Sequence, residues 1–415
     1  MSRLVEAVVP RRLGTSFRWL LASSWTSNVG DGIALAAGPL LVASETDEPF
    51  LVALAALAVW APPLLFGLYA GVLTDRVDRR RIVVTVDLVR VVVLAVLTTF
   101  VVTGAVSIAV VLVALFALGT AEMFADNASS ALLPMVVDRD DLAVANSRLQ
   151  LGLITINQLA GPPVGAALFA AGSAWPFGAQ AVMVLLGAVL VSRVVAPAVT
   201  REAESVSRIS HDIAEGFRWV WHHAAVRTLA LTIFIFNITF GAAWSVLVLY
   251  ATQRLGLGEV GFGLVTTVGA AGSLAGMVSY GWITRHVSLG DLMRIGLVVE
   301  TLTHLGLALT RSPYVALPIF FVFGAHAFVW GTTSITVRQR AVPTGLQGRV
   351  GSVYLVSVYG GLVIGSGLGG LLAQHGGIAA PFWFAFVGSA VFVVLIWRQL
   401  SHVAHADEAE APLSA

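Results

Sequence analysis

Asp31 and Glu122 are carboxylic acids set deep inside long apolar runs. Asp31 stands about 20 Å of helix rise beyond Phe17, and Glu122 is comparably deep in its own run. An ionised carboxylate at such a depth costs at least about 2.5–3.5 kcal/mol on insertion scales, so an acid kept there is a functional candidate. In a low-dielectric cavity it can load a proton from one side and release it to the other. Asp31 can instead hold a structural hydrogen bond to Asn28 or a neighbouring helix. Glu122 can instead pair within the N-terminal half, or attract a cation. Asp87 and Arg90 are three residues apart, and Glu300 and His304 four apart; on a helix such neighbours meet and satisfy each other, so both pairs read as structural. His326 and Asn237 are single polar groups in apolar surroundings. No HExxH or similar ligand set occurs, and the absence of cysteine excludes thiolate metal sites, disulfides and cysteine nucleophiles.

These residues must be carried by elements that tolerate hydrocarbon. Of the 415 residues 57% are hydrophobic and 11% charged, against about 25% charged in a water-soluble domain. Crossing the bilayer takes about 20 apolar residues. Twelve such runs occur, at about 17–44, 50–73, 82–103, 106–128, 149–171, 175–195, 227–251, 258–280, 289–310, 313–334, 350–373 and 380–400. They do not alternate, which excludes a β-barrel and leaves helices. The expected class is an all-α membrane protein.

All 24 basic residues are arginine. With both termini inside, only Arg254 and Arg311 fall outside and Arg90 lies within the third run, so the arginine bias sets a multi-pass topology with cytoplasmic termini. The near-zero net charge points to no nucleic-acid partner. The first residues show no cleaved signal peptide. The longest break, 196–226, holds RISHDIAEGFRWVWHH, in which Ile209, Ile213, Phe217, Val220 and Trp221 recur at helical spacing, as in an interfacial amphipathic helix. It divides the chain into an N-terminal six-helix half (1–195), the linker (196–226), a C-terminal six-helix half (227–400) and a polar tail expected to be disordered (401–415). Gly71 and Thr74 match Gly281 and Thr284, and Gly165 matches Gly370, a weak parallel repeat between the halves.

The charge cluster between the second and third runs has the form G-x-L-x-D-R-x-x-R-R from Gly71 to Arg80. That motif, Ser27-Asn-Val-Gly30-Asp31 in the first run, GTAEMFADNASSALLPMVVDRDDLAVANSRL after the fourth and VRQRAVPTGLQGRVGS before the eleventh resemble the major facilitator superfamily. Within it they resemble the twelve-span exporter branch of drug, macrolide and siderophore efflux proteins. Gly152, Gly161-Pro162 and Gly165 approximate that branch's span-five antiporter motif, departing in the inner spacing and the last glycine.

The resemblance covers essentially the whole chain. It implies two pseudo-symmetric six-helix halves in the major facilitator fold, in a monomer of the bacterial cytoplasmic membrane. It also implies a proton-coupled exporter of lipophilic drug-like molecules working by alternating access, with the proton gradient in place of any cofactor. The partners are then the small-molecule substrate, protons and lipid. Spans one, four, seven and ten would line the cavity, with Asp31 and Glu122 carrying protons. Asn28, Asn157, Gln158, Asn237, Trp244, His326 and Trp330 would be the cavity's candidate contacts. Gln180 can add a polar contact, and the aromatics of spans seven and ten suit an apolar, adaptable pocket. The gating motif would be Gly71, Asp75, Arg76, Arg79 and Asp126. Gly71 would allow close backbone approach, Asp75 would face the N-terminal end of span eleven, and Asp126 would pair with Arg76 or Arg79. Gly361, Gly365 and Gly369 have the spacing of a tight helix contact. The alternatives are a siderophore or lysophospholipid transporter of the same fold, or a non-transporting receptor or partner subunit. An enzyme is not expected, since no nucleophile–base set or GxxxxGK[ST] loop is present. If Asp75 latches a gate, an Asp75→Asn protein transports more slowly than wild type in a matched-expression flux assay; equal rates defeat the latch.

Overall fold

The computed structural model describes residues 11–196 and 209–399. The N-terminal residues and the 401–415 tail, for which disorder was expected, lie outside the described residues. Those described are helical throughout, with no strand among them. We number the long helices α1 (Gly14–Glu45), α2 (Pro49–Arg76), α3 (Arg79–Val102), α4 (Ile108–Val136), α5 (Arg139–Ala171) and α6 (Trp175–Val191). After the linker helix Ile209–His222 come α7 (Ala224–Trp244), α8 (Glu259–His286), α9 (Leu289–Leu309), α10 (Pro313–Ala341), α11 (Gln347–Gly376) and α12 (Ala380–Ile396). They stand at the twelve expected positions. Among the described residues, nine are long and apolar enough to cross a membrane, and α6 and α12 are shorter apolar helices. The remaining helix, α1, is diluted by Ser23, Ser24, Thr26, Ser27, Asn28 and Asp31.

Polar caps start several helices. Asp78 accepts from the Arg81 amide at 3.1 Å, opening α3, and Ser288 accepts from the Asp291 amide at 3.1 Å, opening α9. Each cap satisfies a donor that hydrocarbon or a packed end would leave unpaired, worth about 1 kcal/mol.

Contacts gather the chain into two units. One comprises Met1–Asp47, Leu65–Glu204 and Gly258–Thr267; the other comprises Glu48–Leu64, Ser205–Leu257 and Val268–Ala415. Each is built on one glycine-mediated helix pair. In the first, α5 lies against α1 main chain to main chain: a Cβ at Gly161 would overlap Gly32, and one at Gly165 would run into the Ile33 carbonyl. Gly152 makes room for the Trp25 indole, whose Nε1 donates to the Arg148 carbonyl at 3.1 Å. The three motif glycines of α5 therefore serve one seam. In the second unit α11 meets α7 in the same manner. Gly361, Gly365 and Gly369 face the carbonyls of Phe234, Ile238 and Ala242, leaving no space for a side chain. Spans one and five of one half and seven and eleven of the other thus pack alike, a structural counterpart of the weak sequence repeat. Without a hydrophobic driving force between helices in lipid, such backbone contact is a main source of attraction.

The repeat also shows near the C-terminal ends of α2 and α8. Thr74 donates to the Ala70 carbonyl at 2.7 Å and Thr284 to that of Tyr280 at 3.0 Å. A Cβ at Gly71 or at Gly281 meets nothing within 4 Å. The expected close approach at Gly71 is therefore not found; the glycine faces open space.

The linker helix docks within the second unit. Glu215 pairs with Arg349 at 2.8 Å, Gly216 abuts the Arg349 carbonyl, and Val220 is buried. Phe217 and Trp221 face outward, stacked at 6.0 Å, so its apolar residues divide between two faces. The side chains of Ile209 and Ile213 lie outside the described residues.

A Gly165→Val or Gly365→Leu protein should lose about 1–3 kcal/mol of stability by overpacking and melt earlier in a size-exclusion thermal-shift assay. Gly71→Ala should melt like wild type.

Candidate functional site

Arg90 of α3 is the centre of the most highly charged buried region. Its side chain is 2% exposed. One guanidinium nitrogen donates to Asp87 Oδ1 at 3.3 Å, one turn earlier on the same helix. The other donates to Asp31 Oδ1 of α1. Gln180 of α6 donates to the same Asp31 oxygen at 3.3 Å. Three helices thus converge on one ion pair. Their convergence is built by small residues: Ser23 donates to the Gly187 carbonyl at 2.8 Å, and a Cβ at Gly187 would strike the Ser27 hydroxyl.

Glu122 and Asp126 are four residues apart, on one face of α4, and α4 packs on α3. Arg90 contacts two carboxylates, Asp31 and Asp87, and the neighbouring helix adds two more acids. Asp87 is sealed, Asp31 is 12% exposed, Glu122 is half-buried and Asp126 is exposed. Chemically this is one permanent cation with a surplus of acids, graded from a dry end to an accessible one.

The anticipated Asp87–Arg90 pair is thus one side of a larger cluster. Asn28 is not Asp31's partner; its amide donates to Ser24 at 3.4 Å. Asp126 also differs from expectation. Among the described residues no ion pair joins it to Arg76 or Arg79. Arg79 donates to the carbonyls of Thr74 and Ala131, each at 3.3 Å, and to Met135 Sδ at 2.9 Å. Asp75 ends α2, and its side chain lies outside the described residues, as does the latch contact expected of it. Arg90 itself was missed as a functional residue. The signal was present: it is an arginine well inside its apolar run rather than at its end, and one neighbouring aspartate does not explain why a membrane helix keeps it.

Asn157 and Gln158 sit in a π-helical stretch of α5, Leu153–Ala160. Its cause is local. Pro162 and Pro163 follow and lack the N–H groups that would bond four residues back. The Leu159 carbonyl accepts instead from the Thr267 hydroxyl at 3.2 Å. The widened turn lays the buried Asn157 against Gly32, next to Asp31. Gln158 is half-buried.

The second unit holds its own polar group. Glu300 of α9 lies 3.9 Å from His304 Nε2 and 3.6 Å from His326 Nε2 of α10. Trp244 of α7 packs edge-on to His304 at 6.0 Å and joins Phe240 and Phe323 in a stack. Trp330 lies beside His326 at Gly296, with its indole nitrogen buried. Asn237 turns to its own helix, donating to the Ile233 carbonyl at 2.7 Å. Of the candidate contacts in this unit, the structure groups Trp244, His326 and Trp330 but not Asn237.

An Arg90→Met protein should lose roughly 3–5 kcal/mol, because the carboxylates stay buried without their cation. Adding Asp31→Asn and Asp87→Asn should recover much of the yield of monodisperse protein; no recovery would show that Arg90 acts by packing alone.

The family model described as transmembrane secretion effector, of the major facilitator type, matches residues 7–414. The multidrug efflux pump Tap of Mycolicibacterium fortuitum is 28% identical over 383 residues, covering 88% of this chain and 90% of that protein. Macrolide efflux protein A of Streptococcus pyogenes is 23% identical over 368 residues, covering 85% and 87%. Among solved structures, a bacterial homologue of the iron transporter ferroportin in an inward-facing state superposes with a TM-score of 0.74 at 17% identity, covering 93% of this chain and 98% of that one. Fold, helix positions and family match agree: the chain belongs to the transmembrane secretion effectors of the major facilitator superfamily and is a multi-pass membrane transporter, not an enzyme.

Proposed function

We propose that this transporter is a proton-coupled exporter of lipophilic, drug-like small molecules, working by alternating access in the bacterial cytoplasmic membrane with both termini inside. The observation that carries the proposal is the charge count around Arg90: Asp31 and Asp87 share one guanidinium, and the packed helix α4 brings two further acids, Glu122 and Asp126. An unneutralised buried charge is costly, so the surplus acids favour binding protons. The guanidinium stays charged at any working pH, so the acids alone titrate. Asp31 is the first candidate for the coupling proton, since it contacts the sealed Arg90 while its own side chain keeps 12% exposure. Glu122 is the second, placed to exchange protons with the accessible end and to meet a cationic substrate.

The substrate class rests on the apolar character of the chain's aromatic groups and on the relatives. One of these is named a multidrug efflux pump and another a macrolide efflux protein. The Phe240–Trp244–Phe323 stack offers ring faces suited to lipophilic molecules. Sugars would call for more amide and hydroxyl donors.

The test is dye and antibiotic accumulation in an efflux-deficient bacterial host, with wild type, Asp31→Asn and Glu122→Gln at matched expression. Wild type should lower accumulation, and a protonophore should abolish the effect. Asp31→Asn should raise accumulation to near that of the empty host, Glu122→Gln to an intermediate level. Export that persists undiminished under the protonophore would overturn proton coupling.

A further inference from the structure

The Arg90 cluster belongs to one unit. The other contains a buried carboxylate, Glu300, with no arginine within ion-pair distance among the described residues. Glu300 is 9% exposed and sits between two imidazoles, His326 on the neighbouring helix and His304 on its own. His304 is fully buried, and neither of its ring nitrogens has a hydrogen-bond partner. The charged groups of the packed helices stand elsewhere: on α8, which meets α10 at Ala325, Glu259 is in the first turn and Arg285 and His286 are in the last. On α9, Arg294 pairs with Asp291 at 3.6 Å and lies over the Trp397 ring. On α10, Arg338 and Arg340 are in the last turn, with Arg338 over Tyr354. The segment Ala380–Ile396 of α12, which packs on α9, has no titratable side chain. On α7 the group facing His304 is Trp244, and that helix's arginine, Arg227, is in its first turn.

A buried carboxylate without a guanidinium or ammonium nearby has one way to shed its charge, which is to share a proton. Glu300 Oε2 and His326 Nε2 are 3.6 Å apart, a short step from hydrogen-bond distance. Both keep a narrow exposure, 11% and 8% of the side chain, while His304 behind them has none. The order is that of a port: two groups at the edge of accessible space and a dry imidazole beyond.

We infer that Glu300 and His326, backed by His304, form a second proton-binding site, independent of the Arg90 cluster. In the loaded form one proton, taken from water, is bonded to His326 Nε2 or to the Glu300 carboxyl oxygen and shared between them. Its return to water leaves an anionic carboxylate and two neutral imidazoles. His304 stabilises the loaded form through its ring dipole, and the Trp244 edge closes the dry side. The site extends the proton-coupled reading to the second unit and shares no residue with the first cluster. A transporter using both would move more than one proton per cycle.

The experiment is infrared difference spectroscopy of the full-length protein in lipid nanodiscs, titrated across pH. It follows the carboxylic-acid C=O band in wild type, Glu300→Gln, His326→Gln and the Asp31→Asn/Glu122→Gln pair. Glu300→Gln should remove one titrating carboxyl. His326→Gln keeps Glu300 but loses the shared partner, and should shift that band's midpoint by about one pH unit. The Asp31→Asn/Glu122→Gln protein should retain the Glu300 band unchanged. Two results would overturn the site: a Glu300→Gln spectrum that superposes on wild type throughout, or a band in His326→Gln that titrates as in wild type. Should Glu300→Gln not fold, the His326→Gln titration decides alone. Insensitivity of export to a protonophore would sink the coupled mechanism while leaving this titration intact, so the two ideas fail separately.

Discussion

The contact between Arg90 and Asp31 is the constraint around which the first unit is organised. A guanidinium within hydrocarbon has to be matched by acids on more than one helix, because one neighbour on its own helix cannot satisfy a five-donor fork. The match to Asp31 joins α1 to α3, Gln180 brings in α6, and α4, packed on α3, adds its acids from one face. The small residues Ser23, Ser27 and Gly187, and the glycines of the α1–α5 seam, bring the main chains close enough for short polar side chains to meet. In a soluble core such a pair would be weak evidence for stability. In a membrane, where neither partner can retreat to water, it ties the helices together and stores charge.

The second unit reaches a similar backbone plan with different chemistry. Its α7–α11 seam is glycine against carbonyl, as in the first unit, yet the polar group it surrounds has imidazoles where the other has a guanidinium. A permanent cation keeps its acids near a fixed positive reference. Imidazoles supply no such permanent charge.

Much of the fold was legible in the chain itself. Apolar run lengths, arginine placement and the loop motif located the helices and named the family, because the bilayer imposes length and sidedness on any sequence. Side-chain partners were harder. Asp87–Arg90 and Glu300–His304 were visible as spacing on single helices, but the pairings to Asp31 and His326 cross between helices. These helices are apolar nearly all round, so no polar stripe tells which face meets which neighbour. Asp126 went astray for the same reason: nothing in its own run shows that it makes no ion pair with Arg76 or Arg79. The π stretch had a readable cause in Pro162 and Pro163, whereas its acceptor-saving partner Thr267 lies 108 residues away.

The seam between α1 and α5 limits how this protein can diversify. At Gly32, Gly161 and Gly165 even a methyl group meets main chain, so these positions are closed to drift, and Asp31 is held within the same rigid stretch. Lineages that acquire new cargo must vary elsewhere, on α4 or on the faces of α7 and α10 that bear side chains rather than backbone. Substitution is thereby partitioned: a seam where backbone meets backbone admits no side chain, and the faces that already bear side chains do.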